Sequence, residues 1–278
     1  MSTLDPLLHR LRAGGQTMPY PDGPPPPLPD RHGGALRVDG ARCAAGCSEC
    51  VPVCPTEAIR RPLAPGPASL DLGRCVFCRA CVEACPADAI VPTGDHRMAV
   101  RRREDLLLGE PGREELRLAA ALEDRLRSLF GRSLRLRQVS AGGCNGCEAD
   151  TNVLGTIGWD LGRFGIQFVA SPRHADGLLI TGPVTANMRL ALAKTHAAVP
   201  EPRLVIAVGA CAIAGGPFVG HPQIANGADA VVPVDLYIPG CPPHPLTILD
   251  GLLRLLGRLP DRGAATAVRE PVSEVGAR

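Results

Sequence analysis

From residue 134 onward, short apolar runs alternate with longer stretches in which apolar residues recur every three or four positions. The runs "LRLRQVS" (134–140), "IQFVAS" (166–171), "GLLIT" (177–181), "RLVIAV" (203–208) and "VDLYI" (234–238) predict strands. Helical spacing fits 150–162, 186–198 and 245–257. Strands alternating with helices imply an α/β domain over 134–262, a parallel sheet with helices on its faces.

Upstream the pattern differs. Over 113–130, Leu118, Leu122, Leu126 and Leu129 stand at helical spacing, with Gly131 available to cap, so a connecting helix is expected within 99–133. Residues 33–98 show little periodicity and many cysteines, which marks a separate small module. Residues 1–32 carry "PYPDGPPPPLPD", a run poor in backbone donors that predicts an extended Pro-rich arm. The last segment, 263–278, reads as a loose tail.

With 278 residues and 45% hydrophobic content, the chain can bury one sizeable core beside a smaller module. The net charge of +2 is dispersed, and no basic block asks for nucleic acid. "MSTLDPLLHRLRAGG" lacks a signal-peptide apolar core, no twin-arginine pattern opens the chain, and no later run can span a bilayer. A cytoplasmic, soluble protein is expected, peripheral to the membrane through partner subunits.

Twelve cysteines change the picture: eight lie within 43–85, two at 144 and 147, and one each at 211 and 241. A reducing compartment and this grouping favour metal ligation over disulfides. "CSECVPVCPTEAI" at 47–59 is echoed by "CRACVEACPADAI" at 78–90, an internal duplication. Cys75, Cys78, Cys81 and Cys85 form C-x2-C-x2-C-x3-C-P, the run in which three thiolates bind one cubane and the fourth reaches the other cluster. The first run departs from this by one residue, with three between Cys43 and Cys47, which Gly46 is placed to absorb.

Residues 33–98 thereby resemble the two-cluster bacterial ferredoxins, a small α+β fold. The resemblance implies one 4Fe-4S cluster on Cys54, Cys75, Cys78 and Cys81, and another on Cys43, Cys47, Cys50 and Cys85. Thiolate sets also suit structural zinc, although zinc sites usually show paired CxxC or Cys/His halves rather than two runs ending in Cys-Pro.

In a parallel sheet the ligand site lies beyond the carboxyl ends of the strands. Cys144 and Cys147, Cys211, and Cys241 each follow a predicted strand, so four thiols are delivered to one sheet edge, a set suited to one further 4Fe-4S cluster. Gly142, Gly143, Gly146, Gly209 and Gly240 would let the backbone approach it. Glu148 and Asp150 read either as solvated acids at a helix N-terminus or as groups acting beside the cluster. His174 and His244 read either as loop residues or as groups that tune the cluster or meet a partner.

"CNGCEAD", "RFGIQFVASPRHADGLLITGPVT", "VIAVGACAIAGG" and "DLYIPGCPPHPLTILDGLLRLL" resemble the small-subunit family shared by nickel-iron hydrogenases and the B-type chain of respiratory complex I. Within it, the CxxC form at 144–147 is similar to the energy-converting hydrogenases of the formate hydrogenlyase type, whereas the complex I B-type chains tend to have adjacent cysteines there. The resemblance implies a flavodoxin-like fold and an electron-transfer role with three 4Fe-4S clusters. It further implies a large-subunit partner holding a nickel-iron site or a quinone-binding counterpart, membrane subunits, and a redox donor or acceptor protein. The chain itself would carry no catalytic residue. The competing expectations are a complex I-like quinone oxidoreductase B-type subunit and, from another class, a zinc-stabilised binding adapter.

Overall fold

The computed structural model describes residues 5–29, 31–44, 46–61, 66–109 and 113–259. The expected tail at 263–278 lies outside them.

The arm opens with a helix, α1 (Asp5–Ala13). The small module follows with β1 (Leu36–Val38), β2 (Ile59–Arg60), β3 (Ser69–Asp71), α2 (Ala80–Glu83) and β4 (Ile90–Pro92), then β5 (Leu107–Leu108). The strand β1 pairs antiparallel with β4, and β3 lies between β2 and β5. β5 therefore joins the module's sheet from beyond residue 98, where the module was expected to end. A connection leads to α3 (Asp124–Phe130).

The larger domain comprises β6 (Leu134–Ser140), α4 (Gly146–Val153), β7 (Ile166–Phe168), β8 (Gly177–Thr181), α5 (Ala186–Ala198), β9 (Leu204–Val208), α6 (Ala210–Ala214), β10 (Leu236–Ile238) and α7 (Pro245–Leu255). Its five strands are all parallel and run in the order β7-β6-β8-β9-β10. This is the flavodoxin-like order, with its topological switch between β6 and β8. The residues of β8, β9 and β10 are buried throughout, as their unbroken apolar runs require of strands covered on both faces.

Two expected helices differ from what forms. Of the stretch 113–130, Asp124–Phe130 form a helix and the residues before them do not. There Ala119 N–H donates to Ala99 C=O and Leu122 N–H to Leu255 C=O, so tertiary partners take the donors a helix would have used. Leu122 is buried, whereas Leu129 is 54% exposed. The helix expected at 150–162 instead begins at Gly146, directly after Asn145 at φ +70°, and ends at Val153.

Module and domain are joined by backbone and by core. Val100 and Tyr237 exchange both backbone hydrogen bonds, 3.0 and 2.9 Å, forming a bridge on the β10 edge. One contiguous apolar cluster runs from Leu36 and Leu70 in the module to Leu178 and Val205 in the parallel sheet.

The Pro-rich arm packs instead of trailing. Tyr20 is buried, and with Met18 and Leu28 it joins the core formed by α7. Tyr20 Oη donates to Asp250 Oδ1 at 2.8 Å, and Arg254 Nε donates to Asp250 Oδ2 at 2.7 Å. Arg163 donates to the carbonyls of Met18 and Tyr20 at 2.8 and 2.6 Å. A buried carboxylate is tolerated only with such partners, and here one partner comes from the arm.

Candidate iron-sulfur sites

The strand pairing of the module explains the crossing of its cysteines. β1 leads into the first cysteine run and pairs with β4, which follows Cys85; β3 leads into the second run and pairs with β2, which follows Cys54. Each run of three is thus laid beside the fourth cysteine of the other. One cavity is lined by Cys43, Cys47, Cys50 and Cys85, and a second by Cys54, Cys75, Cys78 and Cys81.

Hydrogen bonds repeat with the duplication. Ala58 N–H donates to Cys54 Sγ and Ala89 N–H to Cys85 Sγ, each at 3.2 Å. Ahead of the runs, Cys43 N–H donates to Asp39 C=O and Cys75 N–H to Asp71 C=O, at 3.0 and 3.1 Å. The extra residue of the first run falls between these matched turns and Cys47, where Gly46 takes φ +81° with open space around it. Phe77 N–H reaches Cys75 Sγ at 3.3 Å and Arg61 Nη1 reaches Cys43 Sγ at 3.6 Å. Donors aimed at sulfur favour thiolate ligands.

The third set gathers beyond the carboxyl ends of the parallel strands. Cys144 lies in the loop after β6, Cys147 in the first turn of α4, Cys211 in α6 and Cys241 in the loop after β10. Gly209 N–H donates to Ile238 C=O and Ala210 N–H to Gly240 C=O, both at 2.8 Å, which ties the Cys211 and Cys241 loops together. Burial pushes the Cys147 thiol up to about 12, with Cys211, Glu148, Cys241 and Cys144 adding to it. Cys211 is pushed up to about 11 by burial, then by Cys241, Cys144 and Glu148. In the module, burial pushes Cys75 up to about 12, although the Phe77 amide lowers it, and Cys81, Cys54 and Cys78 raise it further. The thiols of a set therefore feel one another's charge.

Two glycines leave room for sulfur. A β-carbon on Gly209 would stand 2.5 Å from Cys147 Sγ, and one on Gly216 would stand 2.7 Å from Cys211 Sγ; both residues have positive φ. Four thiols lining one cavity suit a four-iron cluster, which takes one cysteine per iron. Among the described residues, no three Cys, His, Asp or Glu side chains are spaced to hold a single metal ion.

Glu148 is not a solvated acid. It is 7% exposed, and its Oε1 accepts from Ser140 Oγ at 2.6 Å and from Thr181 Oγ1 at 2.7 Å. Ser140 ends β6 and Thr181 ends β8, so the carboxylate sits at the switch point of the sheet. Burial raises its pKa, but the two hydroxyls and its own amide outweigh that and hold it below the usual range. Asp150 is half-buried, and burial raises it. His174 is exposed on a short turn away from the strand ends that carry the thiols.

His244 caps α7: its Nδ1 accepts from Leu246 N–H at 3.1 Å. Burial pushes its pKa down to about 4, with His32 and His96 adding repulsion. Sequence reasoning missed Ser140, Thr181, Gly216 and His32. A polar residue closing an apolar strand, as in "GLLIT", was the available signal for Thr181; His32 carried none.

Comparison with known proteins accords with this geometry. Residues 144–255 match the family described as NADH ubiquinone oxidoreductase, 20 Kd subunit, and residues 42–105 match the 4Fe-4S dicluster domain. The chain is 41% identical over 141 residues to the "Probable membrane-bound hydrogenase subunit mbhJ" of Pyrococcus furiosus, covering 50% of this chain and 84% of that protein. It is 43% identical to formate hydrogenlyase subunit 7 of Escherichia coli, over 50% of this chain and 55% of that one. The B-type NADH-quinone oxidoreductase chain of Heliobacterium modesticaldum is 41% identical over 41% of this chain and 65% of its own length. The protein therefore belongs to the family of the 20 kDa NADH:ubiquinone oxidoreductase subunit and the nickel-iron hydrogenase small subunit, joined in this chain to an N-terminal 4Fe-4S dicluster domain.

Proposed function

We propose that this chain is the electron-transfer subunit of a membrane-associated nickel-iron hydrogenase-like complex and holds three 4Fe-4S clusters. Cys43, Cys47, Cys50 and Cys85 hold the first, Cys54, Cys75, Cys78 and Cys81 the second, and Cys144, Cys147, Cys211 and Cys241 the third. The observation that carries this reading is the gathering of twelve cysteines into three sets of four. When bound, the clusters supply one-electron transfer, with potentials set by burial, amide hydrogen bonds and nearby charge.

The chain's own packing supports an order. Gly73, two residues before Cys75, lies so near α6 that a β-carbon there would stand 2.8 Å from Ile213 Cγ2, two residues after Cys211. Arg79, beside Cys78, holds the Arg31 carbonyl at 2.9 Å, and the neighbouring His32 ring meets His244 near Cys241. In this reading the second site lies between the first and the third.

The third site would face a large subunit that carries the reacting centre, and a redox protein would serve the first site. No helix among the described residues is long and apolar enough to cross a membrane, so in this reading membrane subunits supply the attachment. The two-residue gap between Cys144 and Cys147 favours the hydrogenase over the complex I-like quinone reductase reading. Two CxxC motifs in the accompanying large subunit would support it, and their absence would favour the quinone role.

Anaerobic purification followed by iron and sulfide analysis tests the proposal. About twelve irons per chain are expected from three cubanes, whereas colourless protein containing zinc would refute it. Cys211→Ala or Cys241→Ala should remove one cluster's EPR signal and leave the ferredoxin pair; loss of neither would reject the ligand assignment.

A further inference from the structure

Three residues at the junction of arm and module, Arg31, His32 and Gly33, touch both the loop of the second cysteine set and that of the third. Arg31 gives its carbonyl to Arg79 Nη2 at 2.9 Å. Gly33 lies so close to the same guanidinium that a β-carbon there would stand 2.9 Å from Arg79 Nε. Between them, the His32 ring meets the His244 ring edge-on, with centroids 5.3 Å apart and planes at 70°. The His244 ring also meets Trp159 edge-on, centroids 5.9 Å apart at 64°. Its Nδ1 is fixed by the Leu246 amide, so the ring cannot turn without uncapping α7.

Trp159 lies in the turn that follows α4, the helix carrying Cys147, and His244 lies three residues after Cys241. The ring stack therefore links His32 to two of the three loops of the third site, while Arg31 and Gly33 grip the residue next to Cys78. His32 Nε2 is buried and makes no hydrogen bond. The ring's contribution is thus its shape and apolar edge, since no polar contact of that atom explains its place.

We infer that His32 is a positioning residue that holds the Cys78 loop and the Cys241 loop at a fixed separation and keeps water out of the seam between the second and third clusters. The inference rests on the three-cluster reading. It also accounts for the packing of the arm, because Tyr20 and Arg163 dock it on the larger domain and that docking delivers His32 to the seam.

The test compares wild-type chain, His32→Ala and His32→Phe, purified anaerobically in full length. Iron and sulfide content is measured first, then EPR of the fully reduced protein and an EPR-monitored redox titration. With about twelve irons retained in all three, the wild-type chain should show splitting from magnetic interaction between the second and third clusters, and His32→Ala should weaken it. The third cluster's midpoint should also rise, because water stabilises the more highly charged reduced state. His32→Phe, which keeps the ring, should retain both wild-type properties.

Unchanged splitting and midpoint in a fully loaded His32→Ala protein would overturn the inference and leave the three-cluster reading intact. A His32→Phe protein as altered as His32→Ala would also overturn it, since ring packing would not be the cause. Wild-type protein with iron for only two clusters would sink the three-cluster reading and the inference with it.

Discussion

Gly209 presents its α-carbon to Cys147, so that a β-carbon at position 209 would stand 2.5 Å from Cys147 Sγ, with φ at +90°. Contact and conformation both demand glycine, because L side chains rarely adopt that φ and no atom fits in that space. Gly209→Ala should therefore displace the Cys147 sulfur or the Cys211 turn. Under the proposed three-cluster reading, the expected outcome is a folded chain whose iron falls from about twelve to about eight per chain, with the third cluster's EPR signal lost and the ferredoxin signals kept. Retention of the third signal would show that the turn can shift without releasing the thiol.

Glu148 places a buried negative charge beside Cys147 and Cys211, held by Ser140 and Thr181. Glu148→Gln keeps an oxygen for both hydroxyls and removes the charge. At an effective dielectric near 20, a unit charge about 10 Å from a cluster contributes about 1.7 kcal/mol. For one electron that is roughly 70 mV. The third cluster's midpoint should move upward by that order, since the more negative reduced state loses a repulsive neighbour. EPR-monitored titration checks it, and a downward shift would contradict the assigned charge.

Tyr20→Phe removes the hydroxyl that donates to buried Asp250 and leaves that oxygen with one donor fewer. A loss of about 1–3 kcal/mol of stability is expected, read as a lower denaturant midpoint in urea unfolding. Because Arg254 still holds the carboxylate, the fold should survive. Unchanged stability would mean that the Tyr20 hydroxyl adds nothing to the docking of the arm.

The thiols predict a pH dependence for the cluster-free chain. Burial pushes Cys75 and Cys147 up to about 12, and Cys81 and Cys211 up to about 11, from an ordinary value of 9.0. Between those values the folded chain binds more protons than the unfolded one, so its stability falls as pH rises. The contribution is complete below pH 9 and lost progressively as pH rises through 11 to 12. Thermal unfolding of chelated protein at about pH 7.5, 9 and 10 should show a falling midpoint. Cluster loading should run the other way, improving with pH, because the ligands must give up these protons. Reconstitution yields of iron at about pH 7 and 9 check the second half.

Much of the fold was legible because its strands are short apolar runs that can only be buried. "GLLIT" forms β8 over 177–181 as expected, and "LRLRQVS" forms β6 over 134–140. The edge strand β7 is shorter than expected, closing at Phe168. Periodicity held at Leu126 and Leu129, which lie in α3, and misled at Leu118 and Leu122. Their spacing says helix, yet the amides of Ala119 and Leu122 bond to Ala99 and Leu255, residues that no local pattern could place beside them.

The sequence by itself determined the grouping of the thiols: twelve cysteines in two ferredoxin-type runs and four strand-end positions. Thiol spacing is a local property, and an α/β alternation brings strand ends to one edge. Only the tertiary structure decided the surroundings of those thiols. Glu148 became a buried carboxylate because the ends of β6 and β8 close over it. The Pro-rich arm became a docked element because Tyr20 completes a carboxylate on α7, 230 positions away, and that docking sets His32 against His244. Contacts of that kind depend on which surfaces meet after folding, and no neighbouring residue in the chain records them.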